Sequence, residues 1–372
     1  MKKNRINITL SVIGIVTITF MLSSCGINGS SNEKQKQREY LAVGLSNSNN
    51  WSIIDKDGNV VVDTEFPITG TAISNVYDDV YWVRSGGRCL LYSVNQPNQP
   101  LLEEERADAA DFVCYDHTPL ATSGQPIHII NTKGETVTTL PENIMSCQSF
   151  GVEGYAIFED EKRRLGVIDK DGKIVIEATY AKLVPLGEGI FWADQSLFID
   201  ANGNVIGKID NSKYTMINLG IEDGKILVRD ANYNTTQCYA INTKGEQLFT
   251  LQTAAKNASY YRDGYAMFQS PSGQWGVVDD RGKVVVSPNY RMLFNLGGGD
   301  FIAMGDGGFG VINAKGETIV DFNYNDIDPE KLGSNFIMGR NYDYMLINRK
   351  GEELATFRKI GQIGHNIVRR LK

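Results

Sequence analysis

Two adjacent apolar residues, then Asp or Asn, two further positions and a glycine form a pattern that recurs eight times between residues 53 and 351. The clearest copies are 51–58 (Trp-Ser-Ile-Ile-Asp-Lys-Asp-Gly), 165–172 (Leu-Gly-Val-Ile-Asp-Lys-Asp-Gly), 275–282 (Trp-Gly-Val-Val-Asp-Asp-Arg-Gly) and 309–316 (Phe-Gly-Val-Ile-Asn-Ala-Lys-Gly). Weaker copies end at Gly134, Gly203, Gly245 and Gly351. A ninth, degenerate copy lies around 88–102, where Asn-Gln-Pro-Asn-Gln-Pro replaces the turn. An Asx residue at the first turn position hydrogen-bonds backbone two residues on, and glycine at the fourth takes the left-handed conformation that closes a type I turn with a bulge. Each copy therefore predicts a β-hairpin whose corners include Asp55 and Gly58, Asp169 and Gly172, Asp279 and Gly282, and Asn313 and Gly316.

The residues four and five before each glycine are both apolar, so side chains on opposite faces of the strand both need cover. The third residue after each glycine, from Val61 to Leu354, is apolar too. These strands are expected inside a stack of sheets. Several units add an apolar strand ahead of the hairpin (155–158, 265–268, 301–304), and the clearer ones end in a Tyr-led stretch (180–185, 290–294). Four short strands in about 37 residues is the size of a propeller blade. Beyond the first residues, no window of a dozen shows a helical period.

The segment 275–279 (Trp-Gly-Val-Val-Asp), with Gly282 and Tyr290 after it, resembles the bacterial WG-repeat, a strand-rich module found in tandem. The likeness is close around Trp275, Gly166 and Phe309, recognisable at Trp51 and loose elsewhere. It implies binding or scaffolding and no catalytic residues. The expected fold is all-β, with tandem four-stranded antiparallel repeats forming a β-propeller of seven to nine blades over residues 40–372. An open β superhelix is the alternative. Residues 360–369 are expected to close the ring against residues 40–44.

The first 24 residues change where such a ring resides. Lys2, Lys3 and Arg5 precede an apolar run from Ile6 to Leu22, as in an export signal. The run ends in Leu22-Ser23-Ser24-Cys25, which resembles a bacterial lipobox. That likeness implies cleavage before Cys25, a diacylglycerol thioether on its sulfur and a further acyl chain on its amine, enough for stable anchoring. A retained membrane anchor is the competing reading. Residues 25–39 form the lipidated start and a polar tether, whose 13 residues from Gly26 to Arg38 span roughly 20 Å as a random coil. The expected location is the cell envelope, on the periplasmic face of an outer membrane.

Chemistry adds little. The formal charge of −7 argues against a nucleic-acid partner. Cys89, Cys114, Cys147 and Cys238 show no paired spacing and are expected as buried thiols, with Cys114 to Cys147 the first choice of bridge if one forms. The three histidines lack zinc spacing, residues 305–310 match G-x-G-x-x-G without a following helix, and the Asp-x-Asp-Gly turns lack the rest of a calcium loop. No metal or cofactor is expected. Trp82, Trp192, Tyr260 and Tyr261 lie outside the repeated phrase and are candidates for a platform that stacks on a sugar or peptide, core packing being the competing role. The reading is a lipid-anchored binding or scaffolding protein with a protein or glycan partner. The alternative is an envelope hydrolase using two carboxyls in the central funnel.

Overall fold

The computed structural model describes residues 38–232, 235–361 and 366–371. The leader, Cys25 and nearly all of the tether lie outside the described residues. Every regular element among those described is a strand, and the strands form nine antiparallel sheets arranged as a nine-bladed β-propeller. Blades 2 to 9 span residues 72–105, 107–139, 144–180, 183–208, 214–250, 257–290, 292–324 and 326–357. Blade 1 combines Tyr40–Gly44, Asn50–Asp55 and Val60–Pro67 with Lys359–Ile360 from the far end of the chain. Val43 pairs with Ile360 and Gly44 with Lys359, so the ring closes where expected. Its final strand does not: Ile367–Arg369 pairs with the first strand of blade 4, Ile144–Gln148. Closure against residues 40–44 therefore needs only Lys359 and Ile360.

The eight corners share one geometry. Gly58 N–H donates to the Asp55 carbonyl at 3.1 Å, while Asp55 Oδ1 accepts the N–H groups of Asp57 and Asn59, both at 2.9 Å. At Asn313 the Gly316, Lys315 and Glu317 N–H groups repeat the pattern at 2.9 to 3.0 Å. Gly58 sits at φ +85° and Gly316 at +79°, as the turn requires. The degenerate copy at 88–102 is the outer half of a full blade, with a longer connection in place of the turn.

The glycine after the aromatic has a different cause. A Cβ on Gly276 would lie 2.6 Å from the Val286 carbonyl oxygen and 2.8 Å from the Phe268 ring. Gly166 is confined in the same way by Ile176 and Phe158. The missing side chain lets a phenylalanine on the neighbouring strand lie over the backbone, while Trp275 lies opposite Tyr290 and packs against the cluster that contains Val277, Val286 and Phe301. The fourth strand of each blade is its most exposed, and Val61, Val137 and Leu248 face solvent there. The expectation that the third residue after each glycine is covered fails at these positions, because an outermost strand has no further strand beyond it.

Candidate functional site

The four aromatic candidates fall in three separate blades and form no platform. Trp82 is 0% exposed and stacks on Phe112 with ring centroids 6.4 Å apart. Tyr261 is 1% exposed, with Lys225 Nζ 5.8 Å from its ring centre. Trp192 is half-buried against the cluster around Leu186 and Phe198, and the Tyr260 ring lies against Gly220, where a Cβ would come within 2.6 Å. Blades need large wedges between them, and irregular strands supply these as readily as regular ones.

Among the described residues, the exposed aromatic is Tyr342, at 98%. It occupies the turn joining the second and third strands of blade 9, Asn335–Arg340 and Asp343–Ile347. Arg340 pairs with Asp343, which leaves Asn341 and Tyr342 as a two-residue loop with φ of +56° and +72°. That conformation suits Asn-Gly, and a bulky ring in the second position is strained. Beside it lies a depression of about 500 Å³ lined by Asn325, Asp326, Arg340, Asn341, Asp343 and Tyr344. Asp326 accepts the Tyr344 hydroxyl at 2.6 Å. Burial first, then this carboxylate, pushes the Tyr344 phenol above its usual range. The Arg340 guanidinium rests 5.3 Å from the Tyr324 ring centre. The result is a hydrogen-bonded polar wall with one aromatic standing free, a combination suited to contacting a partner. The sequence signal, Asn-Tyr where a tight hairpin wants Asn-Gly, is faint because nothing around it marks a turn.

The carboxylates of the opposite face have other employment. There, the turns between first and second strands carry an acid that caps a glycine in the next blade. Glu153 accepts the Gly189 N–H at 2.6 Å, Glu188 that of Gly224 at 3.0 Å, and Asp263 that of Gly298 at 2.8 Å. Glu222 takes the Gly264 N–H with both oxygens, at 3.1 and 3.2 Å. Burial pushes the pKa of the Glu153 and Glu222 carboxyls upward, partly offset by these N–H donors. The acids couple blades 4 to 8 through their inner loops. An acid followed by glycine at the end of each such turn was a legible signal that the hairpin pattern overshadowed.

The run of three acids Glu159-Asp160-Glu161 leads into the second-to-third turn of blade 4. Asp160 Oδ1 accepts the Lys162 and Arg164 N–H groups at 2.9 and 2.8 Å, with Arg163 at φ +60° in the glycine position. No disulfide joins the four described cysteines, Cys89, Cys114, Cys147 and Cys238; burial pushes the Cys89 and Cys238 thiols up to about 11. Among the described residues no group of His, Cys, Asp and Glu is placed to hold a metal.

The model of the WG containing repeat matches residues 166–195, 275–303 and 309–331. The chain carries WG-containing repeats. Each matched WG segment starts in the third strand of one blade and runs into the next blade, so the sequence unit and the structural unit are out of phase. No curated protein sequence matches the chain. Among solved structures, a eukaryotic initiation factor is similar with a TM-score of 0.54 at 10% identity, covering 88% of this chain and 98% of that one. The computationally designed protein Ika8 gives 0.43 at 9% identity over 87% and 99%. BamB from Moraxella catarrhalis gives 0.34 at 13% over 85% and 97%. The first of these likenesses is one of fold alone.

Proposed function

We propose that this WG-repeat propeller is an exported, lipid-anchored binding or scaffolding protein that meets a protein or glycan partner through the Asn341–Tyr342 turn. The observation that carries the reading is a fully exposed aromatic held in a strained turn beside a polar depression. Strain of this kind persists where a site needs it.

The tether geometry supports presentation. Arg38, the last tether residue, pairs with Asp328 at 3.3 Å and Glu330 at 2.9 Å, and its carbonyl accepts the Gly333 N–H at 2.6 Å. These contacts lie at the end of blade 9 opposite Tyr342, because Gly333 turns between the first and second strands and Tyr342 between the second and third. A short tether anchored through Cys25 directs one face toward the membrane and leaves the Tyr342 face outward.

Pull-down from native envelope with the full lipidated chain tests the reading. Tyr342→Gly is expected to fold as well as the parent and to recover at least tenfold less of the specific partner. Equal recovery by both would refute the site. For the anchor, Cys25→Ser is expected to move the protein from the membrane pellet to the soluble fraction, and retention in the pellet would refute lipidation as the attachment.

A further inference from the structure

The ring is complete at Ile360, yet the chain continues. Gly361 N–H donates to the Ala42 carbonyl in blade 1 at 2.6 Å. By residue 366 the chain has reached blade 4, three blades around the ring. There it adds a fifth strand beside the first strand of the blade; the other eight blades have four. First strands line the axis of a propeller, so this addition lies on the axis side, where it also packs against the first two strands of blade 3.

The contact is built as strand recognition. Ser146 pairs with Arg369, Cys147 with Val368 and Gln148 with Ile367. The ladder extends at both ends: Ser149 N–H donates to the Asn366 carbonyl at 2.7 Å and Arg370 N–H to the Met145 carbonyl at 2.8 Å. Gly124 N–H of blade 3 holds the Leu371 carbonyl at 3.1 Å. Val368, 0% exposed, is the main anchor and enters the cluster of Ile144, Cys147, Phe150 and Ala110; Leu371 packs against the same cluster, while Ile367 remains 38% exposed. Backbone pairing for affinity with alternate side chains for selection is the β-augmentation mode. The hold is modest, since one buried valine, a partly buried Leu371, the Arg370 guanidinium on the Glu142 carbonyl at 2.6 Å and a short ladder must offset the entropy of ordering the tail. The occupant also leaves a demand unmet, because the buried Ser146 hydroxyl has no hydrogen-bond partner.

We propose that the axis-side edge of Ile144–Gln148 is an acceptor site for an extended peptide segment of a partner protein, and that the C-terminal strand is its built-in, displaceable occupant. The preferred peptide places a β-branched apolar residue opposite Cys147 and bears its charges on the alternate positions. Such a site makes the channel a second recognition surface, independent of Tyr342.

The test uses the full mature chain and a fluorescein-labelled peptide of residues 366–372. In fluorescence anisotropy, Val368→Asp in the protein is expected to tighten binding of the wild-type peptide at least tenfold relative to the parent. A peptide with the same substitution is expected not to bind. A cooperatively melting Val368→Asp protein that takes up no more peptide than the parent would overturn the proposal. If that variant does not fold, a protease site introduced at 362–365 allows the folded ring to be nicked. Exchange of the cut tail for labelled peptide, read by co-elution, supports the acceptor site; a tail that stays bound without exchange over a day refutes displacement.

Discussion

Two turns at opposite ends of blade 9 ask for the same left-handed backbone and answer differently. At the tether end, Asn348 to Gly351 meets every local requirement. Glycine takes φ +82°, and Asn348 Oδ1 accepts the Lys350 and Glu352 N–H groups at 2.9 and 3.0 Å. At the far end, Tyr342 occupies φ +72° with its ring in solvent. Neither burial nor hydrogen bonding explains the second choice, and the same sheet shows that the favourable choice was available. Other second-to-third turns also hold non-glycine residues at positive φ, Arg163 at +60° and Gln195 at +63°; Tyr342 differs in setting a large aromatic ring there wholly in solvent, and that combination points to a use outside the fold.

Five substitutions sharpen or break this contrast. The largest effect is expected where a corner glycine is held by both conformation and contact. A Cβ on Gly245 would lie 2.5 Å from the Lys208 carbonyl oxygen at φ +81°, so Gly245→Ala is expected to cost about 3 kcal/mol in urea unfolding. Gly351 has nothing within 4 Å, and Gly351→Ala is expected to cost only about 1 kcal/mol. Equal costs would mean that packing of corners onto the preceding blade contributes nothing.

The tether end also carries a titration. Burial raises Asp328 to about 6, against the opposing pull of Arg38. Because its folded value lies above the unfolded one, the protonated group contributes stability that is fully present below about pH 4 and is lost as pH rises through about 6. Unfolding free energies from denaturant titrations are expected to fall across that window by at most about 3 kcal/mol, and Asp328→Asn to flatten the fall; an unchanged slope in that variant would assign the titration elsewhere.

At the far end the sign reverses. Tyr342→Gly is expected to raise stability by about 1 kcal/mol by relieving the strained φ. Loss of stability on this change would show that the ring supports the fold. The smallest effect is expected at Arg163, in a corner that otherwise matches the Asx pattern; Arg163→Gly is expected to add about 0.5 kcal/mol with no change in partner recovery.

The fold was legible because Asp55, Asn131 and their counterparts write local turn chemistry directly into sequence, and a local rule repeated at even spacing fixes the architecture. The blade count was harder. Residues 94–101 replace a corner with a longer connection, and a strand pair held by partners distant in sequence leaves no mark of its own. The site was less legible for a related reason. Trp82 and Tyr261 sit in irregular sequence yet are buried, because exposure is decided by which blade lies alongside. Tyr342 stands out only once a two-residue loop is seen to hold it. The acids Glu153, Glu188, Glu222 and Asp263 look like solvated hairpin tips until the next blade supplies the N–H groups that occupy them.

Blade 1 takes its innermost strand from residues 359 and 360, and this sets an order of assembly. A chain delivered amino end first can stack eight blades in succession, but its earliest sheet stays unfinished until nearly the last residue has emerged. Premature termination anywhere before Lys359 would leave blade 1 without its innermost strand and the ring without the pairing of residues 43–44 with 359–360 that closes it.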